Sequence, residues 1–352
     1  TQAFDVRIDG ESAPIDPEGV LAVPGGAASA DLVVVNDDDL TYAISRLDER
    51  STDVALAYVG TIDKPITRAV IWASLWNAVR DGLLDPRRFI VAVLTAVPAE
   101  TEPAIRDRLL LFVSEALSAF LPGSLRGDVH DQVLATTIRL SRETDDADAW
   151  RSYTRAFIAE FAARGGDEYE ATVRYFAASD NPDIAWRARR ALAARGLVDE
   201  EAIEAWRSAD GSGEAARMSV EALASLPLQD ARSRAWESVY SESLSNDFLT
   251  ATLAGLNASS WEGDSGIDSA VDRLRSYWES HTIGMSLRYA NGVLGYGLDI
   301  DRDGSVDRSV GLLRGWLDAN GDAPAQLRRI VLEHLDAFER DERVQLRWKQ
   351  DQ

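Results

Sequence analysis

Apolar residues change their spacing once along this chain, and the change divides it in two. Near the start the spacing is two: Phe4, Val6 and Ile8 alternate with polar neighbours, Asp9-Gly10-Glu11 can turn, and short apolar runs follow at residues 20–23 and 32–35. Alternation interrupted by turn residues predicts short β-strands. A few short strands bury too little surface to be stable alone, so they are expected to complete a sheet whose other strands lie in a preceding domain. The first residue is Thr1, not Met, which fits a piece of a longer polypeptide.

From Asp63 onward the spacing becomes three and four. Pro65 sits where a first helical turn tolerates it, and Ile66, Ala69, Val70, Ala73, Trp76 and Val79 trace the buried stripe of a helix that Gly82 ends. Asp85-Pro86 opens the next, which runs through Phe89, Ile90, Val93, Leu94 and Val97 to Pro98. Further helices are predicted over residues 102–120, 124–141, 147–164 and 169–178, then from Asn181-Pro182 to Gly196 and from an Asp199 cap. Residues 213–225, 229–240, 246–256, 267–280, 305–318 and 323–347 continue the pattern. Helices of about 10–20 residues joined by short turns pack as antiparallel pairs. A long succession of such pairs without a strict period predicts a mainly α fold, an irregular α-α superhelix of the armadillo or HEAT type, preceded by a short β segment. Such an array presents a concave surface suited to binding or covering something.

Composition narrows the partners. Of 352 residues, 45% are hydrophobic, enough for a large core, and the net charge is -22. So acidic a surface repels phosphate backbones and anionic headgroups, which speaks against nucleic acid and membrane as partners. No segment approaches the roughly 18 consecutive apolar residues of a membrane span. Without cysteine there is neither a disulfide nor a thiolate ligand, which fits a cytoplasmic location. Only Lys64 and Lys349 are lysines. The abundant arginine reads as surface ion pairing rather than as an anion site.

Candidate chemistry is sparse. His130, His281 and His334 are far apart in sequence, and none stands in a zinc-peptidase motif. A strained Gly-x-Ser-x-Gly elbow and phosphate-binding glycine loops are both missing. One motif stands out: Asp299-Ile300-Asp301-Arg302-Asp303-Gly304 matches the first half of a calcium loop, so Asp299, Asp301 and Asp303 are candidate cation ligands. Val310 holds the twelfth position, where such a loop carries its bidentate glutamate. The competing reading is an acidic loop that caps the helix beginning near Ser305. Trp72, Trp76, Trp186, Trp206, Trp236, Trp278 and Trp316 all fall inside helical patterns, where packing at interhelix seams is the expectation.

Two consecutive motifs carry a resemblance. Asn36-Asp37-Asp38 followed by Tyr42 leads into Arg68-Ala69-x-x-Trp72-x-x-Leu75-Trp76-x-x-x-Arg80-Asp81. Together they resemble the C-terminal portion of bacterial aminopeptidase N, a zinc metallopeptidase family, from about residue 4 to the helix containing Leu327, Arg328 and Arg329. The resemblance implies that residues 1–36 are the last strands of a β-sandwich domain and residues 37–352 a helical lid domain. In that family the His-Glu-x-x-His zinc motif and the Gly-x-Met-Glu-Asn amine-binding motif belong to an earlier domain, and neither occurs in this sequence. No catalytic residue carries over, no cofactor is expected in these residues, and the chain alone is expected to be inactive. The implied partners are a zinc-bearing catalytic domain of the same polypeptide and, in the full enzyme, peptide substrates. The helical domain would enclose the active site and limit peptide access. A free-standing helical scaffold that binds a protein on its concave face is the alternative, and a calcium-regulated binding module is a third reading.

Overall fold

The computed structural model describes residues 5–8, 11–14, 31–40, 43–241, 244–258, 266–296 and 307–350. Strand β1 (Asp5–Ile8) pairs antiparallel with β2 (Glu11–Pro14) and β3 (Val34–Val35), giving the order β2-β1-β3. Val6 stands opposite Val35 and Arg7 opposite Val34. Seventeen α-helices follow among the described residues, so the fold is mainly α with a short β segment before it. The chain divides into two compact units, residues 1–153 with 343–352 and residues 154–342.

The first unit contains α1 (Glu49–Tyr58), α2 (Pro65–Arg80), α3 (Pro86–Ala96), α4 (Pro103–Glu115) and α5 (Gly123–Glu143). Proline occupies the first turn of α2, α3 and α4, where its missing N–H costs no hydrogen bond. Asp85 caps α3 by accepting from the Arg87 amide at 2.8 Å, and Asp48 caps α1 by accepting from the Ser51 amide at 3.0 Å. The core gathers on aromatic rings. Trp72 meets Phe89 edge-on at 5.9 Å, and Trp76 stacks on Phe112 at 4.3 Å and meets Phe120 at 5.6 Å. Val344 joins this core and Trp348 packs against it.

Helix α6 (Ala147–Arg164) leads into the second unit, with α7 (Glu170–Ala177), α8 (Pro182–Ala194), α9 (Glu200–Asp210), α10 (Gly213–Ala224) and α11 (Gln229–Val239). Then come α12 (Asn246–Ala258), α13 (Gly266–Asp272), α14 (Leu274–Ser280), α15 (Ile283–Tyr296), α16 (Asp307–Ala319) and α17 (Ala325–Gln350). Packing here skips along the sequence: α8 lies on α10, α10 on α12 and α12 on α15, while α9 and α11 pack beside this row. That is the stacking of helical pairs which the spacing implies. Gly255 permits the α10–α12 approach, since a Cβ there would stand 2.2 Å from the Glu221 carbonyl oxygen.

Some boundaries differ from the sequence expectation. Residues 267–280 form two helices that meet at Arg273, and residues 116–120 form a wider π turn after α4. Helices α1 and α15 were not anticipated. In α15 the glycines at 284, 292 and 295 weaken a helical reading, yet burial of Ser286, Tyr289, Ala290, Val293 and Leu294 shows the three-and-four spacing of a packed face.

Candidate functional site

Residues 33–40 and 43–48, where the apolar spacing changes, form a strap that bonds to α2 and its flanking residues. Asn36 and Asp39 adopt left-handed backbone, with φ of 63° and 52°, and the Asp39 amide donates to the Asn36 carbonyl at 2.9 Å. Asn and Asp tolerate this conformation better than other non-glycine residues. The turn aims Asp37 and Asp38 at the start of α2. Lys64 donates to Asp37 at 3.1 Å and also to Asp38, while the Thr67 hydroxyl donates to Asp37. Hydrogen bonds to Asp38 and Asp37 raise the Lys64 ammonium above its ordinary value. Farther along, the Ser45 and Ser74 hydroxyls lie 2.6 Å apart and Arg46 pairs with Asp81 at 2.7 Å. Leu40 and Ile44 stand on this strap 77% and 75% exposed.

Next to Thr67 on α2, Arg68 forms a buried ion pair. Arg68 Nε and Nη2 donate to the two carboxylate oxygens of Glu100 at 2.9 and 2.6 Å, with side chains only 6% and 3% exposed. Arg68 Nη1 donates to the carbonyls of Ile62 and Asp63 at 2.8 and 3.0 Å. The Glu102 amide donates to Glu100 at 2.9 Å. Burial alone would raise Glu100; the Arg68 hydrogen bonds, the Glu102 amide and the Arg68 charge outweigh it and hold the carboxyl below its ordinary range. The guanidinium thus joins the turn before α2 to the turn after α3. This gives the Arg-Ala-x-x-Trp motif its physical content: Arg68 locks the two turns, while Trp72 and Trp76 fill the core.

The second unit carries a cleft of about 260 Å³ between α12 and α15, lined by Thr250, Leu253, Ala254, Leu287, Arg288, Asn291 and Gly292. A Cβ on Gly292 would meet Leu253 Cδ1 at 2.6 Å, so glycine lets the two helices close beneath the cleft. Behind its rim, His334 Nε2 lies 3.4 Å from Asn291 Oδ1. Burial holds His334 below its ordinary value despite the opposing charge of Glu333.

The remaining histidines have other settings. His130 is buried in α5, and His281 ends α14 with its ring stacked on Tyr277 at 3.8 Å. Among the described residues no group of three or more His, Asp or Glu side chains is arranged to hold a metal ion, so the donor set of a catalytic zinc is not assembled there. Asp299, Asp301 and Asp303 lie outside the described residues. Trp72, Trp76, Trp186 and Trp316 are buried in cores, and Trp206, Trp236 and Trp278 pack against them, which makes them packing residues. No helix among the described residues is long and apolar enough to cross a membrane.

The sequence pattern did not single out Lys64 as a clamp or Arg288 as part of a cleft. The rarity of lysine marked the first; the second sits on a helix whose glycines obscured it.

Comparison with known proteins places these features in a family. The chain is 27% identical to Aminopeptidase N of Streptomyces lividans; the match covers 96% of this chain and 40% of that protein, so the chain spans about two-fifths of the relative's length. Residues 32–340, which include the strap, α2 with its Arg68 and tryptophans, and the α12–α15 cleft, match the family described as the ERAP1-like C-terminal domain. The chain therefore belongs to the ERAP1-like C-terminal domain family.

Proposed function

We propose that this chain is the non-catalytic C-terminal part of a zinc aminopeptidase that removes N-terminal amino acids from peptides. Residues 1–36 finish a β-sandwich and residues 37–352 form the helical domain. That domain encloses the active site of a catalytic domain in the same polypeptide and limits which peptides reach it. Zinc belongs to that catalytic domain, and the location is cytoplasmic. Family membership across residues 32–340 carries the reading. The strap supports it: β3 ends at Val35, and the fixed Asn36–Asp39 turn directs the chain onto α2, as a joint between a sheet domain and a helical one requires.

The test is to express the polypeptide from a coding region extended upstream and to measure bound zinc and release of N-terminal residues from peptides. One zinc per chain and peptidase activity are expected, with neither in residues 1–352 alone. An upstream region without a zinc motif, or zinc-dependent peptidase activity in residues 1–352 alone, overturns the proposal.

A further inference from the structure

We propose that the α12–α15 cleft binds a free aliphatic monocarboxylate, with the carboxylate on Arg288 and the alkyl chain over Leu253, Ala254 and Leu287. The charge at the cleft runs against the rest of the molecule. The chain carries a net charge of -22, yet among the described residues no carboxylate lines the cleft. In the same unit several arginines are held by acids, Arg275 by Glu279 and Asp322, Arg314 by Glu339 and Arg329 by Glu333, while the exposed Arg273 lies over the Tyr240 ring at 4.3 Å. Arg288 is exposed, donates to the Gly284 carbonyl of its own helix at 3.1 Å, and has no carboxylate partner among the described residues. A guanidinium has five N–H donors, so four remain to meet an anion, and its planar fork suits a carboxylate.

The other polar groups at the rim leave little for a different head group. Thr250 donates its hydroxyl hydrogen to the Asn246 carbonyl at 3.0 Å. Asn291 gives one amide hydrogen to Leu287 at 2.8 Å and turns its oxygen toward His334, which leaves its second N–H as a further donor. The floor is apolar, formed by Leu253, Ala254, Leu287 and the bare backbone of Gly292. Size sets the ligand's length. An apolar cavity of about 150 Å³ accommodates benzene. In proportion, 260 Å³ accommodates about ten heavy atoms, the size of octanoate.

Calorimetric titration of residues 1–352 with sodium octanoate, octan-1-ol and octylamine tests this directly and does not depend on peptidase activity. Octanoate is expected to saturate with a Kd of about 1 mM or tighter, ahead of the alcohol and the amine. Arg288→Met is expected to weaken octanoate at least about tenfold and to abolish its advantage over octan-1-ol. Ala254→Leu fills the floor and is expected to weaken both, whereas Arg329→Met, outside the cleft, leaves binding unchanged. Arg288→Gln serves as a second charge-removing variant should the methionine variant misfold. Absence of saturable octanoate binding, octylamine binding as well as octanoate, or unchanged octanoate affinity in the folded Arg288 variants overturns the proposal.

Discussion

Replacing Arg68 with alanine removes the cation from a carboxylate that is 3% exposed and leaves the Ile62 and Asp63 carbonyls without their donor. Breaking a buried pair by deleting one partner costs about 3–5 kcal/mol, because the remaining charge stays desolvated. For a unit of this size, that corresponds to a fall in Tm of about 6–20 °C. Since the chain has two compact units, a single transition is not assured, and hydrogen exchange of α2 and α3 amides in urea gives the local reading. The double variant Arg68→Met with Glu100→Leu removes both charges and is expected to recover most of the loss, short of the two carbonyl bonds. Acid provides an independent check. The folded Glu100 value lies below its ordinary 4.5, so its contribution is fully present above that pH and is lost as pH falls through the lowered value. Glu100→Gln should lack that acid-side loss. An Arg68→Ala cost below about 1 kcal/mol, the level of an exposed pair, would refute the reasoning.

Three further expectations follow from other contacts. Gly255→Ala drives a methyl into the Glu221 carbonyl oxygen and should destabilise α10 and α12 by about 1–3 kcal/mol or more in denaturant titrations; a neutral result contradicts the close approach. Lys64→Met should speed amide exchange across residues 37–40 while leaving the α2 core protected, because it removes the ion pairs to Asp37 and Asp38; unchanged exchange means that other contacts, such as Thr67 to Asp37, hold the strap. Leu40→Glu with Ile44→Glu should leave the Tm of the chain unchanged, both side chains being exposed, but should weaken its association with a separately expressed catalytic domain in gel filtration. Equal association would move that contact off the strap.

The helical architecture was legible because its signals are local. Pro65, Pro86 and Pro182 open α2, α3 and α8 where the sequence places them; of the predicted α2 stripe, Val70, Trp76 and Val79 are buried, whereas Ile66 and Ala73 are exposed and Ala69 half-buried. Helix α1 was harder to see because the strap ahead of it masks its start, and its Asp48 cap emerges only through the Ser51 hydrogen bonds. The Arg68 motif was visible as a pattern, but its partner Glu100 lies 32 residues away, a distance no local spacing reveals. The cleft was harder still. It depends on α12 meeting α15 across α13 and α14, and on Gly292 being read as a close approach rather than as a helix breaker.

Under the proposed function, the helical domain governs access to a catalytic site in another domain of the same polypeptide. The direct measurement adds residues 1–352 in trans to the separately expressed catalytic part and follows hydrolysis of a single-residue chromogenic substrate beside a series of peptides of increasing length. The expected result is a stable complex in which the ratio of long-peptide to short-substrate hydrolysis changes with bound chain. Failure to associate, or a ratio unchanged at saturation, would contradict it.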